Sequence, residues 1–459
     1  MTSRQLCDAV IIGSGQGGTP LAIALAEAGN QTVLVEREHA GGTCINEGCT
    51  PTKTMVASAR VAYLISRAAG YGVGTGERRI DMQRVRQRKR DIVTSFRDGS
   101  QKRFEKTPNL RLIFGTAKFI ERNAVEVTAK DGATQIYESK QIFINAGCRP
   151  AVPKLSGLAD VPFLDSTSVM ELDSVPSHLV VLGGGYIGLE FGQLFRRLGS
   201  RVTIVQSGRQ LLDREDEDVA AEVLNILQQD GLDVLLNSRA EKVSKSGDTI
   251  HVDVATGKGM RPIEGSHLLV ASGRVPNTDS LRLDAAGIVT DNDKYVRVNE
   301  KLETNVGGVY ALGDIKGGPA FTHISYDDFR ILRSNLIEKG SATTKDRLVP
   351  YTVFIDPQLG RVGITEIEAR RAKINFRVFK MPMSRVARAL EIDETRGFMK
   401  AIVDQDTEQI LGATVLGVEG GEVMTQLQLA MMGRLSYKVL KNAIFAHPTL
   451  AESLNNLFS

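Results

Sequence analysis

Short apolar blocks alternate with helical patterns along most of the chain. Residues 8–36 show an apolar strand, a glycine turn, an apolar helix and a second strand that ends at Glu36. Residues 180–206 repeat this order and end at Gln206. Because strands that alternate with helices form parallel sheets, both segments predict strand–helix–strand units of an α/β fold.

Each unit carries glycines in the order G-x-G-x-x-G between its first strand and its helix. They are Gly13, Gly15 and Gly18 in the first unit and Gly183, Gly185 and Gly188 in the second. This spacing permits a tight turn, close approach of the backbone to a pyrophosphate, and helix-on-strand packing. The sequence therefore predicts two Rossmann-like dinucleotide-binding domains in one chain.

The residue that ends the second strand differs between the two units. The Glu36 carboxylate is placed to accept hydrogen bonds from a ribose, so a dinucleotide without a 2′-phosphate is expected there. A carboxylate at position 206 would repel a 2′-phosphate, whereas Gln206, with Ser207 and Arg209 beyond it, would not. The second site is therefore predicted to prefer NADPH. NADH stays possible, because an amide also accepts a plain ribose.

Two further segments complete the fold prediction. Residues 110–144 form short alternating runs, which predict an antiparallel meander. From residue 350 onward, strands and then helices follow without a glycine fingerprint, which predicts a separate α+β domain. Chain-breaking residues set the predicted domain boundaries: residues 1–149 with 275–344, residues 150–274, and residues 345–459.

Composition narrows the class of protein. The chain is 42% hydrophobic and 24% charged with a net charge of +3, too weak a bias to favour nucleic acid or a membrane surface as partner. The N-terminus lacks the pattern of a secretory signal, and no apolar stretch reaches the roughly twenty residues of a spanning helix. A cytoplasmic protein is expected.

The candidate chemistry lies in the stretch GGTCINEGCTPTK, which contains Cys44 and Cys49. The chain has only four cysteines, which excludes a disulfide-stapled scaffold. No second Cys/His pair follows to complete a metal site, so we expect no resident metal. Cysteines that merely pack are the alternative to a redox-active pair. A helix predicted at residues 54–69 would favour the thiolate at its positive end.

Two carboxylates and a histidine are weaker candidates. Asp314 follows a strand and precedes a helix, where it could bind a sugar hydroxyl or simply cap the turn. His447 stands five residues before Glu452. A lone histidine is more often structural, and a carboxylate able to hold its ring favours the catalytic interpretation.

A basic run at residues 84–90 is predicted to lie on a helix. Val85, Ile92 and Phe96 recur at helical spacing and are expected to face a core. The arginines would then form a solvated face, the alternative being a site that attracts an anionic substrate.

At these residues the chain resembles the flavoprotein disulfide reductases, the family of glutathione reductase, dihydrolipoamide dehydrogenase and mercuric reductase. The motifs that carry the resemblance run in the family's order over nearly the whole chain: GSGQGG with Glu36, GGTCINEGCTPTK, GGGYIGLEFG, GRVPN, ALGD and HPTLAE. Within the family, the stretches CINEGCTPTK and HPTLAESLNNLFS are most like those of the copper-reducing, reactive-chlorine-resistance subgroup, which is related to the mercuric reductases.

The resemblance implies FAD in the first domain, a nicotinamide dinucleotide in the second, and a C-terminal dimerisation domain. The implied FAD-binding residues are Gly13, Gly15, Gly18, Glu36, Gly42, Thr43, Lys53, Gly147 and Asp314. The implied NADPH-binding residues are Gly183, Gly185, Tyr186, Ile187, Gly188, Gln206, Ser207, Arg209 and Gly273. Tyr186 resembles the aromatic gate over the nicotinamide, and Lys53 with Glu190 resembles the ion pair beside the flavin.

The resemblance also implies a mechanism. Electrons pass from NADPH through FAD to a disulfide of Cys44 and Cys49, and Cys44 then meets the acceptor while Cys49 lies against the flavin. His447, oriented by Glu452, protonates the leaving thiolate. Because the family takes this histidine from the other subunit, an obligate homodimer is expected.

The acceptor stays open between a small disulfide and a metal ion. The chain ends NNLFS without the C-terminal cysteine pair of mercuric reductases, and it carries His447, which they lack. Both differences weigh against mercury as the main acceptor, and a mercuric-reductase-like activity is therefore the alternative rather than the main prediction. Gln206 argues against a dihydrolipoamide-dehydrogenase-like activity. An alternative of another class is a flavin-based redox sensor with little turnover.

Overall fold

The computed structural model of the protein describes residues 4–459, which divide into two compact units. The first unit contains the chain up to Thr54, residues 84–151 and residues 273–347. The second contains residues 55–83, 152–272 and 348–459. The predicted boundaries of three domains stay a prediction.

Strands and helices alternate through the described chain. The strands are β1 Arg4–Ile12, β2 Thr32–Glu36, β3 Leu110–Glu121, β4 Ala124–Ala129, β5 Thr134–Ile144, β6 Cys148–Pro150, β7 His178–Leu182, β8 Arg201–Val205, β9 Asp233–Leu235, β10 Arg239–Ser246, β11 Thr249–Thr256, β12 Gly259–Gly265, β13 His267–Val270, β14 Arg274–Pro276, β15 Val309–Ala311, β16 Tyr351–Val353, β17 Gln358–Gly363, β18 Phe376–Pro382, β19 Phe398–Asp404 and β20 Ile410–Gly417. The α-helices are α1 Gly18–Glu27, α2 Gly42–Asn46, α3 Cys49–Arg67, α4 Met82–Lys106, α5 Tyr186–Leu198, α6 Glu217–Gln229, α7 Thr322–Leu336, α8 Glu366–Arg371, α9 Ala387–Glu391, α10 Gly420–Met432, α11 Tyr437–Asn442 and α12 Ser453–Leu457.

A parallel sheet in the order β3-β2-β1-β5-β15 forms the centre of the first unit. Residues 9–12 of β1 and the whole of β2 are buried, as expected of parallel strands covered on both faces. The glycine turn follows β1 and leads into α1. The turn therefore lies at the carboxyl end of the sheet, where open α/β sheets bind their ligands.

The predicted meander is present, but its outer strands also belong to the parallel sheet. Strands β3 and β4 pair antiparallel, as do β4 and β5. The first half of β3 pairs instead with β2, and β5 pairs along its length with β1. Long strands of 12 and 11 residues make this double pairing possible.

The second unit contains three sheets. Parallel strands in the order β13-β7-β8-β9 carry the second glycine turn, and an antiparallel sheet of β10, β11 and β12 shares a buried core with them. The C-terminal residues form an antiparallel sheet in the order β16-β17-β20-β19-β18. Helix α10 packs on β17 closely enough that a Cβ on Gly360 would lie 2.5 Å from the Gly420 carbonyl oxygen.

A buried lysine neutralises an acidic group within this second unit. The Lys400 ammonium lies 3.0 Å from Asp216, 2.9 Å from Asp218 and 2.5 Å from Glu366. Three carboxylates at such distances have the composition of a cation site. Here the lysine serves as their cation.

Among the described residues, no helix is both long enough and apolar enough to cross a membrane.

Candidate active site

The two candidate thiols lie at the junction of α2 and α3. Cys44 is on α2 and half-buried, and Cys49 is the first residue of α3 and exposed. Helix α3 begins five residues earlier than predicted. Pro51 is compatible with this start because it lies in the first turn, where backbone N–H groups have no partner within the helix and a missing N–H costs no hydrogen bond. Neither thiol is in a disulfide, and a hydrogen bond links Cys44 to Cys49.

Thr322 contacts the exposed thiol from a distant part of the chain. Its Oγ1 lies 3.3 Å from the Cys49 Sγ, and it is the first residue of the 15-residue helix α7. The positive end of this helix therefore lies beside Cys49, in addition to that of α3. Both features favour a thiolate at this position. The sequence analysis assigned no role to Thr322.

The pKa of Cys44 is raised above its ordinary value. Its hydrogen bond to Cys49 is the largest cause and burial the second, while Thr322 and Lys53 act in the opposite direction. When one proton is shared between the two sulfurs, it therefore lies on Cys44. Cys7 and Cys148 are kept as neutral thiols by burial, which raises the pKa of Cys7 to about 11 and that of Cys148 to about 12.

The first glycine turn contacts the thiol-bearing segment directly. A Cβ on Gly13, whose φ is +102°, would lie 2.4 Å from the Asn145 carbonyl oxygen. A Cβ on Gly42 would lie 2.6 Å from the Gly15 Cα. The dinucleotide turn and the segment that carries Cys44 are therefore held together by contacts that only glycine permits.

Glu36 helps to hold this turn. Its Oε2 accepts hydrogen bonds from Ser14 N at 3.0 Å and Ser14 Oγ at 2.6 Å, and its Oε1 accepts one from Glu38 N at 2.9 Å. A carboxylate has about four lone-pair sites, so acceptor capacity remains for a ribose hydroxyl. Ser14 is a site residue that the sequence analysis missed.

Asn145 connects the turn to the end of β15. Its Oδ1 accepts a hydrogen bond from Gly18 N at 2.9 Å, and its Nδ2 donates to the Leu312 carbonyl at 2.8 Å. From the sequence we expected Asn145 only to end a strand. Its amide instead fixes the position of α1 relative to the segment that carries Asp314.

The Asp314 carboxylate has the surroundings of a ligand-binding group. No residue that the structure describes donates a hydrogen bond to it, and burial raises its pKa, with Arg274 and Lys316 opposing that shift. A half-buried carboxylate without a hydrogen-bond donor has acceptor capacity for a ligand. A sugar hydroxyl would satisfy it, so the residues present fit FAD. Gly147, with open space at its Cα, and the exposed Thr43 belong to the same unit.

The second glycine turn repeats the geometry of the first. A Cβ on Gly183 would lie 2.4 Å from the Ala271 carbonyl oxygen, and one on Gly188 would lie 2.1 Å from that of Gly183. Gly185 has nothing within 4 Å of its Cβ position, so space is open in front of α5, as a bound pyrophosphate requires. Tyr186, exposed, and Ile187, half-buried, begin that helix.

Gln206 takes the structural position of Glu36. Its Oε1 accepts a hydrogen bond from Gly184 N at 2.9 Å, as Glu36 does from Ser14 N. Ser207 is exposed, and Arg209 forms an exposed ion pair with Glu217 at 2.7 Å. Gly273, predicted with this group, belongs to the first unit.

Glu190 is buried on α5 and accepts a hydrogen bond from Phe354 N at 2.8 Å. Lys53 belongs to the first unit and Glu190 to the second, so their predicted ion pair stays a prediction.

The predicted histidine–carboxylate pair is present. His447 Nδ1 lies 2.9 Å from both oxygens of the Glu452 carboxylate, and the His447–Pro448 peptide is cis. With a proton on Nδ1 donated to the carboxylate, Nε2 is the free basic nitrogen of the ring. The His447 side chain is 70% exposed, so Nε2 is accessible to an external group.

Two dinucleotide turns and a thiol pair at a helix N-terminus define a pyridine-nucleotide oxidoreductase that works through sulfur. The sequence profile described as pyridine nucleotide-disulphide oxidoreductase matches residues 7–328, and that of its dimerisation domain matches residues 349–458. The chain belongs to this family, and the predicted fold class is confirmed.

Similar proteins support the same class. The chain is 39% identical over 455 residues to the probable pyridine nucleotide-disulfide oxidoreductase RclA of Escherichia coli (strain K12), covering 98% of both. It is 33% identical over 447 residues to mercuric reductase of Lysinibacillus sphaericus, covering 97% of this chain and 81% of that one. The solved Cu(II) complex of the HOCl-induced flavoprotein disulfide reductase RclA from Escherichia coli matches with a TM-score of 0.91 at 38% identity, covering 99% of both chains.

These findings confirm several predictions. The protein is an oxidoreductase of a family that acts on sulfur groups or metal ions and uses FAD and NAD(P)H. Its C-terminal match to the dimerisation domain supports a homodimer.

Proposed function

We propose that this protein transfers electrons from a reduced nicotinamide dinucleotide, through FAD and the Cys44/Cys49 pair, to an external acceptor. The observation that carries the proposal is the surroundings of the two thiols. Cys49 lies at the start of α3 and 3.3 Å from Thr322 at the start of α7, while Cys44 holds the shared proton. Such an arrangement prepares one sulfur as a thiolate and the other as the group that exchanges with substrate.

FAD, when bound, supplies a two-electron carrier between the nicotinamide and the thiol pair. The residues that would hold it are the turn of Gly13, Gly15 and Gly18 with Gly42, Thr43 and Gly147, together with Glu36, Lys53 and Asp314. The second turn, with Tyr186, Ile187, Gln206, Ser207, Arg209 and Gly273, would hold the nicotinamide dinucleotide.

With a disulfide acceptor, the partner subunit's His447 takes the proton of Cys44, and the resulting Cys44 thiolate attacks one acceptor sulfur and releases the other as a thiolate. The partner subunit's His447, oriented by Glu452, protonates that leaving group. Cys49 then attacks Cys44 and releases the second acceptor thiol, which restores the Cys44–Cys49 disulfide. The acceptor gains two electrons and two protons. The pair supplies both electrons and the proton of Cys44, and solvent supplies the second proton, because Cys49 is already a thiolate.

With a metal acceptor, each of two Cu(II) ions takes one electron, and the dithiol becomes a disulfide with release of two protons. The solved relative described as a Cu(II) complex supports copper(II) as the first acceptor to test. Mercury(II) is the second metal acceptor to test.

The experiment is a steady-state assay of the purified holoenzyme with Cu(II), oxidised glutathione, lipoamide and Hg(II) as separate acceptors. A Cu(I) chelator reports copper reduction directly. We expect Cu(II) or a disulfide to accelerate dinucleotide oxidation, and Cys44→Ser to abolish the acceleration. An oxidase rate with oxygen that is unchanged in Cys44→Ser and insensitive to every acceptor would refute the proposal.

The choice between NADPH and NADH is a separate prediction. Gln206 carries no charge, which supports NADPH. Gln206→Glu should then shift the preference toward NADH, and unchanged kinetics with both dinucleotides would contradict this prediction.

The alternative of a redox sensor with little turnover is tested by anaerobic titration with NADPH. The enzyme should develop a long-wavelength thiolate-to-flavin absorption band at two electrons. Absence of that band would favour the sensor. A cytoplasmic location is likewise proposed, from the low cysteine content.

A further inference from the structure

The loop after β8 folds back over the second glycine turn. Leu212 N donates a hydrogen bond to the Gly184 carbonyl at 3.1 Å, and Gly184 N donates to Gln206 Oε1 at 2.9 Å. Leu212 has a φ of +50°, a left-handed conformation that leucine rarely adopts. Residues 207–213 are therefore held against the turn that would bind the dinucleotide.

Gln206 has no amide hydrogen left for a ligand. Its Nε2 donates to the Gln210 carbonyl at 3.1 Å and to Asp213 Oδ1 at 3.1 Å, and its Oε1 is the acceptor for Gly184 N. An NH₂ group has two hydrogens, and both are used. Gln206 therefore cannot donate a hydrogen bond to a 2′-phosphate without breaking one of these contacts.

Asp213 brings a carboxylate to the position where the first unit has Glu36. Its Oδ1 lies one hydrogen bond from the Gln206 side chain, and the side chain of Asp213 is exposed to a ligand. A Cβ on Gly208 would lie 2.8 Å from both Asp213 Oδ1 and Gln206 Nε2, so this approach requires a glycine at 208. The negative charge absent from residue 206 is thus present on a neighbour.

The positive side chains near Gln206, on the loop after β8 and the start of α6, do not outnumber the carboxylates there. Arg209 is paired with Glu217 at 2.7 Å, with both side chains largely exposed, and exposed Arg214 directly follows Asp213. The positive charges of Arg209 and Arg214 are therefore matched in number by the negative charges of Asp213 and Glu217. Arg209 is already paired with Glu217.

We propose that Asp213 is a specificity-determining residue of the second dinucleotide site, an inference that depends on the proposed use of NAD(P)H. Its carboxylate accepts a hydrogen bond from a ribose 2′-hydroxyl and repels a 2′-phosphate. NADH is then used at least as well as NADPH. This expectation is opposite to the one that Gln206 alone supports, and kinetics decide between them.

The test is Asp213→Asn in the holoenzyme, with rates of flavin reduction by NADH and NADPH measured anaerobically by stopped flow. Asparagine still accepts the hydrogen bond from Gln206, so the loop is preserved. We expect the NADPH/NADH ratio of the second-order rate constants of flavin reduction to rise on the order of tenfold, because one repulsive charge is removed from beside the 2′-phosphate. Asp248→Asn, on the exposed hairpin between β10 and β11, is the matched control and should leave the ratio unchanged.

Several outcomes would overturn the inference. They are a tenfold or greater preference of the wild-type enzyme for NADPH, an unchanged ratio in Asp213→Asn, and equal losses with both dinucleotides, which would mark Asp213 as merely structural. FAD content and thermal midpoint are measured alongside to show that the variant is folded. Failure of the proposed function is distinguishable. Flavin reduced by neither dinucleotide in any variant would refute hydride entry itself, whereas an oxidase rate unchanged in Cys44→Ser would refute the thiol route and leave the ratio in Asp213→Asn readable.

Discussion

Cys44 and Cys49 are close in sequence but differ in their surroundings, and this asymmetry is what the proposed chemistry needs. Cys49 lies at the positive end of two helices beside a hydroxyl. Cys44 is half-buried and holds its proton through the contact with Cys49. Cys49 can therefore carry negative charge as a thiolate, while Cys44 stays protonated until substrate binds.

The raised pKa of Cys44 predicts a pH dependence of its reactivity. Below the pKa, the thiolate fraction grows about tenfold per pH unit, and because the pKa is raised, this growth should continue past neutral pH. Alkylation of the reduced enzyme by iodoacetamide, followed at Cys44 by mass spectrometry, should accelerate without a plateau up to pH 9. A plateau near pH 7 would show that the pKa of Cys44 is lowered instead.

Thr322→Val should destabilise the Cys49 thiolate, because it removes a hydrogen bond to a charged sulfur. The measurement is the pH at which the long-wavelength thiolate-to-flavin band of the two-electron-reduced enzyme disappears. Thr322→Ser keeps the hydroxyl and serves as the control. Identical band titrations of Thr322→Val and Thr322→Ser would show that the Thr322 hydroxyl does not stabilise the Cys49 thiolate.

At the scale of elements, the glycine turns are the parts most sensitive to a single Cβ. Gly13 and Gly29 lie at opposite ends of the same turn and helix, and both have positive φ, +102° and +93°. A Cβ on Gly13 would clash with the Asn145 carbonyl, whereas nothing lies within 4 Å of one on Gly29. The two positions therefore separate backbone strain from steric exclusion.

Gly13→Ala should abolish FAD retention, while Gly29→Ala should cost about 1 kcal/mol of stability from the left-handed backbone alone and keep the flavin. FAD content after desalting and the thermal midpoint report the two effects. A Gly13→Ala protein with full FAD content would contradict the role of this turn.

The sequence predicted those elements whose signal is local. Both glycine turns follow a buried strand and precede a helix, as their spacing requires. The helix with the basic run was predicted less well, because Phe96 is 55% exposed while Lys89 is buried. Helical spacing identifies several apolar stripes, and only tertiary contacts decide which of them packs.

The same difference between local motifs and distant tertiary contacts decided which site residues could be predicted. Cys44, Cys49 and the pair of His447 with Glu452 could be predicted, because each lies in a short motif. Thr322 could not, since its partner Cys49 is 273 residues away and its own stretch carries no redox signature. Asp213 was missed because a backbone reversal at Leu212 is not visible in the sequence.

At the scale of the whole molecule, the C-terminal part exposes apolar side chains that a second copy would cover. Leu429, Met432, Val439 and Ile444 are each at least half exposed, and all fall within the match to the dimerisation domain. Several large apolar side chains exposed within one short stretch of chain indicate an interaction surface.

Ile444→Asp should therefore convert the protein from a dimer of about twice 49.9 kDa to a monomer, because it would bury a charge at the interface. Light scattering after size exclusion measures the mass. Met260→Asp, at an exposed apolar position on β12, is the control and should remain dimeric. A dimeric Ile444→Asp protein would place the interface elsewhere.

The most direct test of the account is a single turnover of the reduced holoenzyme, with Cys44→Ser and Cys49→Ser beside the wild type. Each protein is reduced anaerobically with NAD(P)H and mixed with Cu(II) or a disulfide. We predict that both variants still accept hydride but reduce the acceptor at least about a hundredfold more slowly than the wild type. Acceptor reduction at the full wild-type rate in either variant would contradict electron transfer through this sulfur pair.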